Sequence, residues 1–192
     1  MKLFSRRGLA RNERGATVVE FAMLLPLFLA FVLGIIEICV YFFIAGQLQY
    51  GVEQASRSIR VGDPAVVGNN PANSDAFLAL VCGNINTLMI GTCATNLLVD
   101  VRSFASFDLI AYPADPDLDS DGTIEPAEVQ YCAGEPSTAV VARVYYRHST
   151  MLIGFLGNIF TAIIPSPPSA ITIQSTTTFR TEPYNATGVT CP

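Results

Sequence analysis

The side chains with the clearest chemical potential lie in a twelve-residue acidic segment that runs from Asp117 to Glu128. It reads Asp-Leu-Asp-Ser-Asp-Gly-Thr-Ile-Glu-Pro-Ala-Glu, with acidic residues at positions 1, 3 and 5, glycine at 6 and glutamate at 12. Hard oxygen ligands at this spacing wrap a calcium ion, and the glycine permits the sharp turn. The spacing predicts a lone calcium loop, with a solvated acidic turn as the alternative. Its candidate ligands are Asp117, Asp119, Asp121, Thr123 through its backbone carbonyl, Glu125 and Glu128.

A second chemical feature is a lone carboxylate, Glu20, at the mouth of an apolar run and five residues beyond Gly15. Residues 21–36 contain no charged side chain. A charge at the centre of a membrane helix costs about 2.5–3.5 kcal/mol, and less near the interface. A charged side chain at the position of Glu20 therefore requires a structural or functional explanation.

The charges before the apolar run predict the membrane topology. Basic residues on one side of a membrane span keep that side in the cytoplasm. We therefore expect a single span in the bacterial inner membrane, with the N-terminus cytoplasmic and the remainder periplasmic or extracellular. The basic residues are Lys2, Arg6, Arg7, Arg11 and Arg14, opposed only by Glu13.

Other N-terminal signals fit less well. The run from Ala16 to Ala45 is about twice as long as the apolar region of a secretory signal peptide, and Glu20 and Glu37 interrupt it. The twin-arginine signal faintly suggested at Arg6-Arg7 fits poorly for the same reasons. A plain, uncleaved signal anchor explains the basic flank and the span, but it does not explain the glycine placed before the carboxylate.

The stretch Arg14-Gly15-Ala16-Thr17-Val18-Val19-Glu20-Phe21 resembles the processing site of Tad-type (Flp) prepilins, and its flanks are most similar to the TadE-like minor pseudopilins. An acidic residue after Gly-Ile-Ile, here Glu37, and a closing Arg-x-Glu-Pro, here residues 180–183, are also typical of that family. The resemblance implies cleavage after Gly15 by a membrane aspartyl peptidase. Ala16 would become the N-terminus, and Glu20 and Phe21 would become mature positions five and six.

The resemblance also implies roles and partners. In a filament, Glu20 would offset part of the desolvation cost of a neighbouring subunit's N-terminal ammonium. Glu37 would either reach the outer membrane interface or pair with a partner subunit. The implied function is that of a non-catalytic minor pilin in Tad pilus assembly, adhesion and biofilm formation. Its partners would be the inner membrane, the prepilin peptidase, other Tad pilins and pilus-platform proteins.

The elements that must position these residues indicate an α+β fold. Residues 1–15 form a basic cytoplasmic leader, residues 16–61 a membrane helix that continues as an amphipathic helix, and residues 62–192 an extracytoplasmic domain. Leu48, Val52, Ala55 and Ile59 recur at helical spacing in the second half of the long helix. A short helix is expected from Asp75 to Thr87 with Ser74 as its N-cap. Alternating patterns predict strands at residues 97–104, 139–147 and 170–180.

The charge and cysteine content restrict the function further. Removal of the first 15 residues leaves 6 basic and 15 acidic side chains, a net charge of −9, which argues against nucleic-acid binding.

Four cysteines in the exported part allow three disulfide pairings. Cys82–Cys93 with Cys132–Cys191 is favoured, because the first pair is local and the second would tie down the C-terminal tail.

No sequence motif of a hydrolase, metalloprotease, nucleotide-binding protein or thiol oxidoreductase is present. The prediction is therefore a non-enzymatic pilin-like protein with at most a calcium ion as cofactor. The alternative is an uncleaved, membrane-anchored periplasmic calcium-binding protein of adhesion or the cell envelope.

Overall fold

The computed structural model describes residues 13–85, 93–110, 124, 127–149, 170–185, 189 and 191. Within them, a long N-terminal helix and a small three-stranded antiparallel sheet confirm the α+β class. In chain order the elements are α1 (Glu13–Val61), α2 (Pro71–Asn84), α3 (Cys93–Asn96), β1 (Leu97–Phe104), a 3₁₀ turn (Phe107–Leu109), β2 (Ala139–Ser149) and β3 (Ala170–Arg180).

The chain divides into two units, residues 1–40 with 150–168, and residues 41–149 with 169–192. In the first unit the described part is α1 up to Val40. An apolar stretch at residues 151–164, whose sequence suits a short helix that packs on the sheet or contacts another subunit, lies outside the described residues.

Helix α1 ends at Val61, where the sequence predicts its end. Gly62 follows in the left-handed conformation, with φ of 80°. The Gly62 amide donates to the Ile59 carbonyl at 3.1 Å, and the Asp63 amide donates to the Ser58 carbonyl at 3.0 Å. These two bonds form a Schellman motif, which satisfies carbonyls that the last helical turn would otherwise leave open.

The sheet has the order β1-β2-β3, and its registers put Val99 opposite Val144 and Tyr146 opposite Ile173. Side chains alternate between the two faces of a strand. One face is apolar and carries the buried residues Val140, Ala142, Val144 and Tyr146 of β2. The second half of α1 packs in the same core, which includes Ile44, Leu48, Val52, Ala55 and Ile59.

The prediction for α2 was wrong at its start. The helix begins at Pro71 rather than Asp75, and its N-cap is Asn70, whose side chain accepts from the Asn73 amide at 3.0 Å. Proline suits the first helical position, because its fixed φ is helical and no amide is needed there. Ser74 therefore lies inside the helix rather than at its cap.

Both favoured disulfides are present: Cys82 is bonded to Cys93, and Cys132 to Cys191. The first joins the end of α2 to α3. The second holds the C-terminal tail against a segment that pairs with β1, through a parallel bridge between Val101 and Tyr131.

Candidate functional site: the surface of helix α1

The residues of the predicted processing site lie in the first turns of α1. Gly15, Ala16, Glu20 and Phe21 are all exposed, and the Phe21 ring is 62% exposed. A Cβ added to Gly15 would meet no atom within 4 Å. The described part of the structure therefore leaves space for a side chain to begin at this position.

An apolar surface continues along the first half of α1. Met23, Leu27 and Phe31 are 77%, 71% and 69% exposed. The helix is long and apolar enough to cross a membrane, with a mean hydropathy of 2.7 and only 6% of its most apolar stretch buried. An exposed apolar surface of this extent is typical of a site that contacts a membrane or another protein.

Glu37 is the one acidic residue inside the second half of this apolar surface. It is half-buried, whereas its neighbours Ile36 and Ile38 are 52% and 57% exposed. Two roles are predicted for Glu37, one at the membrane interface and one beside a partner subunit, and both stay predictions.

The second half of α1 is amphipathic. Its inner face is buried, and the Ser175 hydroxyl of β3 donates to Gln49 Oε1 at 2.7 Å. The Arg60 guanidinium carbon lies 5.3 Å from the centre of the Phe179 ring, a cation–π contact. The opposite face, which includes Tyr50, Glu53 and Arg57, is exposed.

The tail after β3 docks on the end of α1. The Glu182 amide donates to the Arg60 carbonyl at 2.9 Å, and the Tyr184 ring packs where a Cβ of Gly62 would stand. Thr181 also binds the turn before β2, because its hydroxyl donates to the Glu135 carbonyl at 2.8 Å. The Arg-x-Glu-Pro motif thus joins the end of the helix to the sheet, a role that its sequence did not indicate.

A cleft of about 420 Å³ lies beside the helix end. It is lined by Glu53, Gln54, Arg57, Arg60, Val61 and Glu182. The sequence pattern did not indicate this cleft, because Glu182 comes from a distant part of the chain.

A buried carboxylate is the other polar feature that the sequence did not reveal. Asp100 of β1 is 1% exposed and stands opposite Arg143 of β2, with 3.7 Å between Oδ2 and Nε. Its Oδ1 accepts from Arg102 Nε at 3.0 Å and from the Gln130 amide at 2.9 Å. Only the pairing of distant strands brings these groups together.

The predicted calcium ligands Asp117, Asp119, Asp121, Thr123 and Glu125 lie outside the described residues, and Glu128 is the one ligand inside them. Among the described residues, no group of three acidic, histidine or cysteine side chains is arranged to hold a metal ion. The calcium loop therefore stays a prediction.

Comparison with known proteins identifies the N-terminal part of the chain. The family model described as TadE-like protein matches residues 15–57, beginning at the glycine of the predicted processing site. No curated protein and no solved structure matches the chain. The match covers the exposed apolar surface of α1 and most of its amphipathic half, and it stops before α2 and the sheet. The resemblance found in the sequence is confirmed for this segment: residues 15–57 are TadE-like.

Proposed function

We propose that the protein is a minor pseudopilin of a Tad (Flp) pilus, inserted with its N-terminus in the cytoplasm and cleaved after Gly15. The observation that carries this proposal is the family match over residues 15–57, which coincides with an exposed apolar helix. The helix would lie in the inner membrane before assembly and among neighbouring helices afterwards. The folded domain would face the periplasm or the cell exterior.

The chemistry of the mature N-terminus supports the same proposal. Cleavage after Gly15 would leave the Ala16 ammonium four residues from Glu20, on an exposed apolar helix. In a filament of low dielectric, an unpaired ammonium is costly to bury, and a carboxylate of a neighbouring subunit offsets that cost. Glu20 is therefore assigned to subunit assembly rather than to catalysis.

The role is proposed to be structural. A non-catalytic subunit would initiate or join the pilus and thereby contribute to adhesion and biofilm formation. Its direct partners would be the prepilin peptidase, other Tad pilins and the pilus platform. The runner-up function is an uncleaved membrane anchor that displays a calcium-binding domain. The basic leader fits both functions equally well, and the acidic segment supports the runner-up.

Replacing Gly15 with leucine distinguishes the two functions. A bulky side chain beside the scissile bond blocks the peptidase, and the free space around Gly15 means that the fold tolerates it. We expect G15L to accumulate as the precursor and to abolish incorporation into pili, measured by gel mobility in cells and by immunogold microscopy. Gly46→Ala is the matched control, since a Cβ there also meets nothing within 4 Å. Processing of G15L at the wild-type rate would favour the uncleaved anchor.

A further inference from the structure

The outer edge of β1 is paired along only part of its length. On its inner side β1 pairs with β2 without interruption, and the residues of an antiparallel strand bond alternately to either side. The Val101 amide donates outward to the Gln130 carbonyl, and the Val101 carbonyl accepts from the Cys132 amide, both at 2.7 Å. By the same alternation, the amide and the carbonyl of Val99 also point outward.

A buried carboxylate ends this outer pairing before it reaches Val99. Continued parallel pairing would direct the Gln130 amide to the Val99 carbonyl. The Gln130 amide instead donates to Asp100 Oδ1 at 2.9 Å. Among the described residues, no hydrogen bond reaches the outward amide or carbonyl of Val99. Val99 is only 6% exposed, and buried backbone groups are almost always paired, so this part of the edge is suited to receive a partner.

A cleft of about 400 Å³ opens onto this part of the edge. Leu97 and Val99 of β1 line it, together with Asp75 and Leu78 of α2 and the side chain of Tyr131. Asp75 is the only charged side chain among the described residues that line the cleft, and it is exposed. The volume lies within the range of ligand-binding clefts. The cleft therefore offers a backbone edge, apolar walls and one carboxylate.

The open backbone groups determine which kind of occupant fits. An outward amide and carbonyl on one residue of a strand are matched by the backbone of another extended chain, as at the neighbouring bridge between Val101 and Tyr131. The carboxylate of Asp75 attracts a basic side chain. Residues 16–192 carry 6 basic and 15 acidic side chains, so charge favours a different protein over a second copy of this chain.

We propose that the edge of β1 at Val99 binds an extended, basic segment of another protein, which adds to the sheet as a short strand. Main-chain hydrogen bonds to Val99 supply the affinity, and Asp75 selects a lysine or arginine in the segment. The site lies outside residues 15–57, which the family model matches, and it does not depend on cleavage after Gly15.

A tethered peptide tests the site in the full-length protein in detergent. The probe is acetyl-Thr-Val-Lys-Val-Thr-amide, attached by a maleimide linker to Asn69→Cys on the exposed rim of the cleft, in a chain with Cys39→Ser. A short tether raises the local peptide concentration to about the millimolar range. We expect hydrogen exchange of the Val99 amide, measured by NMR, to slow by about tenfold or more relative to the linker alone. Unchanged exchange at Val99 would overturn the proposal.

Methylated peptides test whether the probe binds as a strand. Only one edge of a strand faces its neighbour, so methylation of one alternate set of peptide amides should abolish the protection of Val99, and methylation of the other set should preserve it. Equal effects of the two sets would contradict strand addition.

Charge reversal tests the role of Asp75. Replacing the lysine of the probe with glutamate should reduce the protection of Val99 about two- to fivefold, and Asp75→Lys should reverse that preference. Asp75 is exposed, so the fold should tolerate the substitution. A preference for lysine that survives in the variant would contradict selection by Asp75.

The identity of the occupant is tested without a probe. If exchange at Val99 slowed as the concentration of the untethered protein was raised, a second copy of this chain would be the occupant, and the assignment to a different protein would be wrong. We expect the exchange rate of Val99 to be independent of protein concentration.

Discussion

Gly62 shows how a single residue connects the long helix to the rest of the domain. Its positive φ ends α1 with a Schellman motif, and its missing side chain leaves room for the Tyr184 ring. Both features require glycine, because an L-residue in this conformation is strained and its Cβ would displace the ring.

Gly62→Ala should therefore destabilise the protein by at least about 1 kcal/mol, because of the strained backbone and the displaced tail. Thermal unfolding of the full chain in detergent, followed by circular dichroism, measures the loss. The matched control is Gly83→Ala in α2, where a Cβ meets nothing within 4 Å and alanine favours the helix. Equal melting temperatures for the Gly62 variant and the wild type would show that the tail does not depend on this contact.

Tyr131 gives the protein an expected sensitivity to alkaline pH. Its phenol donates to the Val66 carbonyl at 2.6 Å, and burial raises its pKa well above the ordinary value. Because the folded state holds this proton more tightly than the unfolded state, the contribution to stability is complete below about pH 10. It is lost as the pH rises toward the raised pKa of the folded state.

Tyr131→Phe should lower stability at neutral pH by about 0.5–1.5 kcal/mol, because the hydrogen bond to Val66 is lost. The variant should also lose less stability than the wild type when the pH is raised above about 10. Urea unfolding at neutral and alkaline pH measures both effects, with Tyr50→Phe at an exposed position as control. If the stability of the wild type and of the variant fell equally as the pH was raised, Tyr131 would be ruled out as the source of the alkaline sensitivity.

At the scale of elements, regular patterns in the sequence were sufficient to predict the strands. The bounds of β1 and β3 agree with the prediction, because alternation of apolar and polar residues identifies a half-buried strand. The start of α2 was missed because both Asn70 and Ser74 are good N-caps, and only Pro71 at the first helical position distinguishes them. The buried pair Asp100–Arg143 was not predictable, since it depends on the register between distant strands.

The acidic segment between β1 and β2 is predicted to bind calcium. Titration of the full chain with calcium chloride should give a saturable binding heat and raise the melting temperature, since binding to the folded state alone stabilises it. Asp117→Asn combined with Asp121→Asn should abolish both effects, because two carboxylate ligands are removed. Asp75→Asn, on the exposed side of α2, is the control. An unchanged melting temperature in calcium and in chelator would identify the segment as a solvated turn.

At the scale of the whole molecule, the chain combines an exposed apolar helix with a domain that carries two disulfides. Disulfides of this kind persist in oxidising compartments outside the cytoplasm. This agrees with the topology that the basic leader predicts. The family match covers residues 15–57, which lie in the helix, and the sheet domain lies outside the match.

The mature N-terminus tests the central claim most directly. Intact mass spectrometry of the membrane form, from cells with and without the cognate prepilin peptidase, gives the first residue of the chain. The account predicts a species that begins at Ala16 and appears only when the peptidase is present. A chain that retains its basic leader under both conditions would contradict the pseudopilin assignment and leave an uncleaved membrane anchor.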